Sequence, residues 1–364
     1  MDAIDAALVR IIEHELELIQ YHQTPISKKL QQAIRSINAE STLNEVSELD
    51  VIMGNLFAEA SLQIIESGDL SPADIHAIGS HGQTVLHLPN AKHPRTLQIG
   101  DANIIAYQTG ITTVADFRRM DVAAGGEGAP LAPAFHQWLF QNKKSERVIL
   151  NIGGIANITL LPANNKTAVT GFDTGPGNTL MDEWIQQHLD QDFDEDGNWA
   201  KSGQCNQELL SVLLDEAYFK IIPPKSSGKD YFNLQWLEHK LSQSKIAIGP
   251  DDVQATLLEL SVITIRDAIN NYAPECDEIL VCGGGVHNKF MMQRLRNLQT
   301  KAEISSTEKV GLNPDAVEAV AFAWLAKRRM ENKFGNLTSV TGANDQVMLG
   351  AIYQAYSPQQ ELNN

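Results

Sequence analysis

Apolar residues recur at helical spacing between Thr42 and Glu66. Leu43, Val46, Leu49, Met53, Leu56, Phe57, Ala60 and Ile64 share one face. Thr42 and Glu45 have capping-box spacing and Gly68 suits a C-terminal cap, so the pattern predicts one long helix. The start of the chain has a different period. Ile4, Leu8 and Val9 form a strand-like stretch, followed by a polar turn from Arg10 to His14. Leu16, Leu18 and Gln20 then alternate with Glu15, Glu17 and Ile19. Period two on the far side of a short turn reads as half of a hairpin. Beyond the long helix, IHAIGSHG, TLQIG and ITTVADFR are short apolar segments, each read as a buried strand ending at a loop.

A second block begins near residue 147. RVILNIGGIANITLL predicts a strand, a turn at Gly153-Gly154 and a second strand. TAVTGFDTGPGN predicts a strand entering a loop, with a helix through Met181, Trp184, Ile185 and Leu189 behind it. A long helix is expected from Asp251 or Asp252 to about Asn270. EILVCGGGVHN predicts a strand that breaks into three glycines before a further helix. Asn313-Pro314 reads as N-cap and first residue of the helix carrying Glu318, Phe322 and Trp324. Two successive blocks of hairpins and helices predict an α/β protein of two lobes around a cleft, with the crossover near residues 120–147.

Composition narrows the classes. At 364 residues the chain exceeds one ordinary core, and with 43% hydrophobic residues it can bury two. No apolar run approaches the ~20 residues of a membrane span. Asp2 and Asp5 stand where a secretory signal would carry basic residues. Cys205, Cys276 and Cys282 are an odd count without metal-type spacing, which points to reduced thiols and a cytoplasmic protein. A net charge of −17 argues against nucleic acid as a partner, yet leaves room for one small phosphorylated ligand.

Three glycine turns follow strands: NIGGIAN, FDTGPGN and CGGGVHN. Glycine lets backbone N–H groups approach an anion, although a glycine turn can also serve only to reverse the chain. No Walker A or GxGxxG pattern is present, and SSGKD at 226–230 lacks the leading glycine. Asp173 follows a predicted strand in a loop of small residues. Its carboxylate can accept a proton or hold a metal, or simply cap the loop after it. His81, Gln83 and His87 suit sugar hydrogen bonding better than a metal, because no third ligand is near in sequence. Arg118 and Arg119 lie just beyond a strand, where an arginine can clamp a carboxylate or form a surface ion pair. Glu318, in the first turn of its helix, can favour the helix dipole or face a cleft.

IGSHGQTVLHLP, TLQIGDANIIA, TGITTVADFRRMDVAAGGEGAPLAPAFH, VILNIGGIANITLL, GFDTGPGNTLMD, PPKSSGKDYFN, DVQATLLELS, ILVCGGGVHN, EAVAFAWLA and SVTGA occur in order from about residue 75 onward. In these stretches the chain resembles the 1,6-anhydro-N-acetylmuramic acid kinases. The resemblance implies two ribonuclease-H-like lobes, actin- and hexokinase-like, flanking an active-site cleft. It places an N-terminal lobe at 1–125, completed by a helix over 343–358, and a C-terminal lobe at 126–342. The implied reaction opens the 1,6-anhydro bridge with water at C1 and moves the γ-phosphoryl group of ATP to O6. The product is N-acetylmuramate 6-phosphate, an intermediate of peptidoglycan recycling. ATP and Mg²⁺ are the implied cofactors, and a homodimer is expected.

By the same resemblance Asp173 is the general base, and His81, Gln83, Arg118 and Glu318 bind the sugar, with Arg118 on its lactyl carboxylate. Gly153, Gly154, Asn157, Gly175, Gly177 and Asn178 belong to the phosphate turns, and Gly283, Gly284 and Gly285 to the adenosine side. Asp2 and Asp5 fall at the end of a motif that reads IGLMSGTSxDGID in the family, with Ala3 in place of a glycine. The earlier part of that motif, a strand and a phosphate turn, is expected upstream of Met1. On that expectation the opening strand lacks its hairpin partner. The alternative is then a relative that binds sugar or nucleotide with impaired turnover. A glycoside hydrolase without ATP is disfavoured by the glycine turns.

Overall fold

The computed structural model describes residues 3–163, 167–228, 230–244, 247–299 and 301–355. The chain forms two compact units, one of Met1–Leu139 with Glu318–Asn364 and one of Phe140–Val317. Each mixes helices and strands, as expected. The boundaries differ from those expected at 125/126 and 342/343, and aromatic packing explains the shift. Phe135 and Trp138, on the helix Ala132–Phe140, lie 6.0 and 5.8 Å from the ring of Trp324 on the helix Val317–Met330. Large rings in contact keep both helices with the first unit. The helix expected over 343–358 is also not observed. Gly350 takes a φ of +92°, and Ala351–Tyr353 continues as a strand. Residues 356–358 of that expectation lie outside the described residues.

In the first unit, β1 (Ala3–Ile12) and β2 (Glu15–Pro25) pair antiparallel from Ala3↔Pro25 to Ile12↔Glu15. The opening strand therefore has a hairpin partner within this chain. The turn expected over Arg10–His14 tightens to Glu13-His14, with Glu13 at φ +49°, because Ile11 and Ile12 prolong the strand. Ile4 and Leu8 pack on Leu49, Met53, Ala60, Ile64 and Ile65 of the helix Leu43–Ser67. That helix has the expected capping box at Thr42 and its cap at Gly68. β3 (Ile78–Gly79) runs parallel to β6 (Thr113–Ala115), whose other side pairs with Ala351–Tyr353. β4 (Gln83–Leu88) and β5 (Arg95–Ile99) form a separate antiparallel pair. Gly79 packs directly on the helix Val317–Met330, since a Cβ there would lie 2.3 Å from the Phe322 carbonyl oxygen.

The second unit is built on one five-stranded sheet in the order β11-β10-β7-β8-β9. β7 (Arg147–Ile152), β8 (Ile155–Leu161) and β9 (Thr170–Pro176) are antiparallel neighbours. β10 (Glu278–Cys282) runs parallel to β7, and β11 (Glu303–Ser306) parallel to β10. Every residue of β10 is buried, as expected for a central parallel strand covered on both faces. The long helix spans Pro250–Tyr272, starting before the expected aspartates because Gly249 caps it and Pro250 suits the first turn. Asn313 does not cap its expected helix. Its side chain accepts from Asp315 N (2.9 Å) in a turn, and the helix begins at Val317. Among the described residues no helix is long and apolar enough to cross a membrane.

Candidate functional site

Because β7 and β10 are parallel neighbours, they end at the same edge of the sheet. β7 runs into Gly153-Gly154 and β10 into Gly283-Gly284-Gly285. The turn after β9 folds onto the first pair. Gly177 N and Thr179 N donate to Gly154 O (2.9 and 3.1 Å), and Asn178 N donates to Gly153 O (2.9 Å). A Cβ on Gly177 would stand 2.3 Å from Gly153 O, so only glycine permits this approach. Ser261, on the long helix, donates its hydroxyl to Gly177 O (2.9 Å) from behind. On the other side, Cβ atoms on Gly283 and Gly285 would meet Asn151 Oδ1 and Ile152 Cγ2, each at 2.3 Å. Gly284 is exposed, and a Cβ there would have only Asn178 Nδ2 nearby, at 4.0 Å. Gly175 is buried against Phe219 instead of facing outward. The three turns thus converge beside the N-terminus of the helix Thr179–Leu189. Glycine backbone beside a helix dipole suits an anion, while the N–H groups of Gly177, Asn178 and Thr179 are spent on holding the turns together.

Asp173 lies within β9, not in the loop after it, because β8 pairs with β9 as far as Ile155↔Pro176. Its cross-strand neighbour is Asn157, whose own neighbour on β7 is Asn151. Directly opposed residues share a sheet face, so the three form a polar row. Asp173 does not cap the loop that follows it. Its Oδ2 accepts from Ser227 N (2.8 Å), and its N–H donates to Lys225 O (3.2 Å). Tyr218 donates its hydroxyl to Asp173 O (2.9 Å) and lies under the Lys225 ammonium, 4.7 Å from the ring centroid. Among the described residues, Oδ1 has no hydrogen-bond donor. Burial pushes the Asp173 carboxyl up to about 6, against the opposing pull of the Ser227 N–H and the Lys225 charge. A carboxyl group raised that far suits proton abstraction near neutral pH.

The first unit gathers the other expected residues. Arg118 Nε donates to His81 Nε2 (2.9 Å), and Arg118 Nη1 donates to Gly128 O (2.9 Å). Burial, then the neighbouring Arg118 charge, pushes His81 down to about 3, so its ring is neutral and Nε2 is free to accept. Its ring lies 4.4 Å from that of Phe322, centroid to centroid. Burial also lowers Arg118, opposed by Glu318, while crowding by protein raises Glu318 against the pull of Arg118. Asp5 adds to the rise in Glu318. Asp5 Oδ1 accepts from Tyr21 OH and from Gln23 Nε2 (2.8 Å) across the opening hairpin. Asp2 lies outside the described residues. Gln83 donates to the neighbouring Thr84 O (2.9 Å) and bonds to none of these groups. His87 Nδ1 is matched with Thr96 Oγ1 (3.1 Å). Among the described residues no group of three acidic, histidine or cysteine side chains is arranged to hold a metal.

Residues 1–355 match the family model described as anhydro-N-acetylmuramic acid kinase. The chain belongs to the anhydro-N-acetylmuramic acid kinase family. A family member from Coxiella burnetii is 48% identical over 355 residues, covering 97% of this chain and 94% of that protein. One from Photobacterium profundum is 49% identical over 364 residues, covering 98% and 96%. Among solved structures, an activator of 2-hydroxyisocaproyl-CoA dehydratase from Clostridium difficile with bound ADPNP aligns over 90% of this chain and 98% of that one. Its identity is 10% and its TM-score 0.41. A ROK family glucokinase from Streptomyces griseus, in complex with glucose and AMPPNP, aligns over 89% and 99%, with 12% identity and a TM-score of 0.38.

As an anhydro-N-acetylmuramic acid kinase, the protein is a phosphotransferase that uses ATP. It opens the 1,6-anhydro sugar and phosphorylates O6, a step of peptidoglycan recycling. Three residues around Asp173 carry no signal of their own in the sequence: Tyr218, Lys225 and Ser227. SSGKD reads in sequence as a failed Walker pattern and PPKSSGKDYFN as one of the family stretches, and its backbone is what holds Asp173. Nothing local to Tyr218 signals its role.

Proposed function

We propose that Asp173 is the general base for the water that opens the anhydro bridge. The observation that carries this is a half-buried carboxyl group, on the same sheet as the convergent glycine turns, with one oxygen held by Ser227 N–H and the other without a donor among the described residues. Oδ1 takes a proton from water as the water oxygen attacks C1. The C1–O6 bond breaks, and O6 with its electron pair attacks the γ-phosphorus while ADP leaves. Both events demand fixed positions, so orientation contributes as much as basicity. The turn at Gly153 and Gly154 suits the phosphates, with Gly177 and Asn178 holding that turn through their own N–H groups and the polar side chain of Asn157 beside it. Gly283, Gly284 and Gly285 suit the adenosine side. Arg118 suits the lactyl carboxylate, since its Nη2 has no partner among the described residues. Neutral His81, with Gln83 and Glu318, suits the sugar hydroxyl and amide groups.

Mg²⁺ fits the residues present. Asp5 offers an oxygen ligand in Oδ2, and Mg²⁺ needs only one or two carboxylates beside phosphate and water. When bound, Mg²⁺ supplies charge neutralisation on the phosphates of ATP. We place the reaction in the cytoplasm, where ATP is supplied. A homodimer is supported by exposed Val51, Ile52 and Tyr107 on two helices joined by the Gln108–Asn55 hydrogen bond; sedimentation gives its mass. The chemical test incubates the protein with 1,6-anhydro-N-acetylmuramic acid and Mg·ATP and seeks the 6-phosphate by mass spectrometry. Asp173→Asn is expected to bind ATP and lose nearly all turnover, and an unimpaired rate would remove Asp173 from the base role.

A further inference from the structure

We propose that Asp121 is a positioning residue for sugar binding: its buried carboxyl group fixes the turn at 124–128, and the Gly128 carbonyl of that turn holds Arg118. This rests on the reading that Arg118 binds the substrate carboxylate. Asp121 is 0% exposed, and its three hydrogen-bond donors are neutral groups from well-separated parts of the chain. Oδ1 accepts from Asn336 Nδ2 (2.7 Å) and Thr341 Oγ1 (2.8 Å), and Oδ2 accepts from Gly128 N (2.8 Å). Gly128 O in turn accepts from Arg118 Nη1, and Arg118 Nε reaches His81. One unbroken series of hydrogen bonds therefore joins the C-terminal segment to the guanidinium.

The turn is moulded around the carboxyl group. A Cβ on Gly126 would lie 2.3 Å from Asp121 Oδ2, and Gly128 sits at φ +68°. Glu127 N donates to Thr341 O (2.8 Å) and Asn344 N to Ala124 O (2.9 Å), which closes the segment over the turn. Asn336 is itself fixed, donating to Asp345 O (3.1 Å) and accepting from Val347 N (2.8 Å). Burying a carboxyl group is expensive unless its oxygens are hydrogen-bonded, and an apolar residue in the same space would leave all three donors unpaired. What the carboxyl group supplies is direction: it sets where the Gly128 carbonyl points, and so where the Arg118 fork is held.

Asp121→Asn tests this with little change in volume. Whichever way its amide turns, the NH2 group displaces an acceptor, facing Gly128 N in one orientation and both Asn336 Nδ2 and Thr341 Oγ1 in the other. Thr341→Val removes a single donor and serves if Asp121→Asn does not fold. Michaelis constants for 1,6-anhydro-N-acetylmuramic acid and for ATP are measured for each variant, alone and combined with Arg118→Gln. The sugar constant is expected to rise about ten-fold in Asp121→Asn and a few-fold in Thr341→Val, with the ATP constant within about two-fold of wild type. Added to Arg118→Gln, either change is expected to raise the sugar constant less than about two-fold further, because the route through Arg118 is already broken. An unchanged sugar constant in the folded single variant overturns the proposal. So do equal changes in both constants, or effects that multiply in full with Arg118→Gln. If Arg118→Gln itself leaves the sugar constant unchanged, the reading of Arg118 fails and this proposal with it. Loss in Arg118→Gln without loss in the Asp121 and Thr341 variants sinks the proposal alone.

Discussion

In the 140–317 unit the central charged group is a carboxyl on a sheet strand, held by a backbone N–H and by a tyrosine on its carbonyl. In the other unit it is a guanidinium at the start of a short helix, held by a neutral imidazole and a carbonyl. Burial opposes charge at both places, yet the outcomes differ. Asp173 starts low on the pH scale, so a raised pKa brings it to about 6, where it can change its proton in the working range. Arg118 starts so high that burial leaves it charged throughout that range. The same desolvation suits one group to the proposed role of base and the other to that of anchor.

That contrast breaks most sharply at Asp173. Asn in its place is expected to lower kcat by about 10²–10⁴-fold, the usual worth of a general base, with nucleotide affinity retained. The anchor responds differently: Arg118→Gln is expected to raise the sugar KM roughly ten- to hundred-fold, with the smaller effect on kcat. Equal effects of both substitutions on kcat would erase the distinction. The pH profile sharpens it further. Because the base must be deprotonated, kcat/KM should fall about ten-fold per unit below pH ~6, with no step from Arg118.

Stability gives the opposite sign. The folded pKa of Asp173 lies above its unfolded value, so the native state gains stability as pH falls from about 6 toward the ordinary range. Asp173→Asn should therefore melt higher than wild type at pH 8, with the difference closing in acid. The smallest effects concern the glycine turns. Gly177→Ala meets a carbonyl at 2.3 Å and should cost about 1–3 kcal/mol in denaturant titration. Gly284→Ala should leave stability within about 0.5 kcal/mol and weaken only ATP binding, a few-fold in KM.

How far the two sites could be read beforehand follows from the range of the interactions. The capping box at Thr42, the Gly153-Gly154 hairpin and the glycines after β10 are set by neighbours in sequence, and each is found where expected. Asp173 was expected in a loop. Only pairing with β8, across a register shift between Ala156 and Asn157, shows the strand continuing through it. Ser227 is 54 residues from the carboxyl group it holds, and Thr341 is 220 residues from Asp121. Spacing patterns carry no information at those separations. The same limit explains the domain boundary, which depends on Trp324 meeting Phe135 and Trp138 from the far end of the chain. At the start, an upstream strand implied by the family motif drew attention away from Glu15–Pro25, the partner that β1 has.

The first unit is made from both ends of the chain, and the second from one uninterrupted middle. During synthesis this sets an order of events. Once residue 317 has emerged, the five-stranded sheet has all of its strands and can close around its core while translation continues. The first unit must wait with β6 missing a neighbour and Asp121 missing two of its three donors until Asn336, Thr341 and the strand Ala351–Tyr353 are made. Arg118 is translated early, yet the network proposed to hold it is complete only after residues 336–353 have been made.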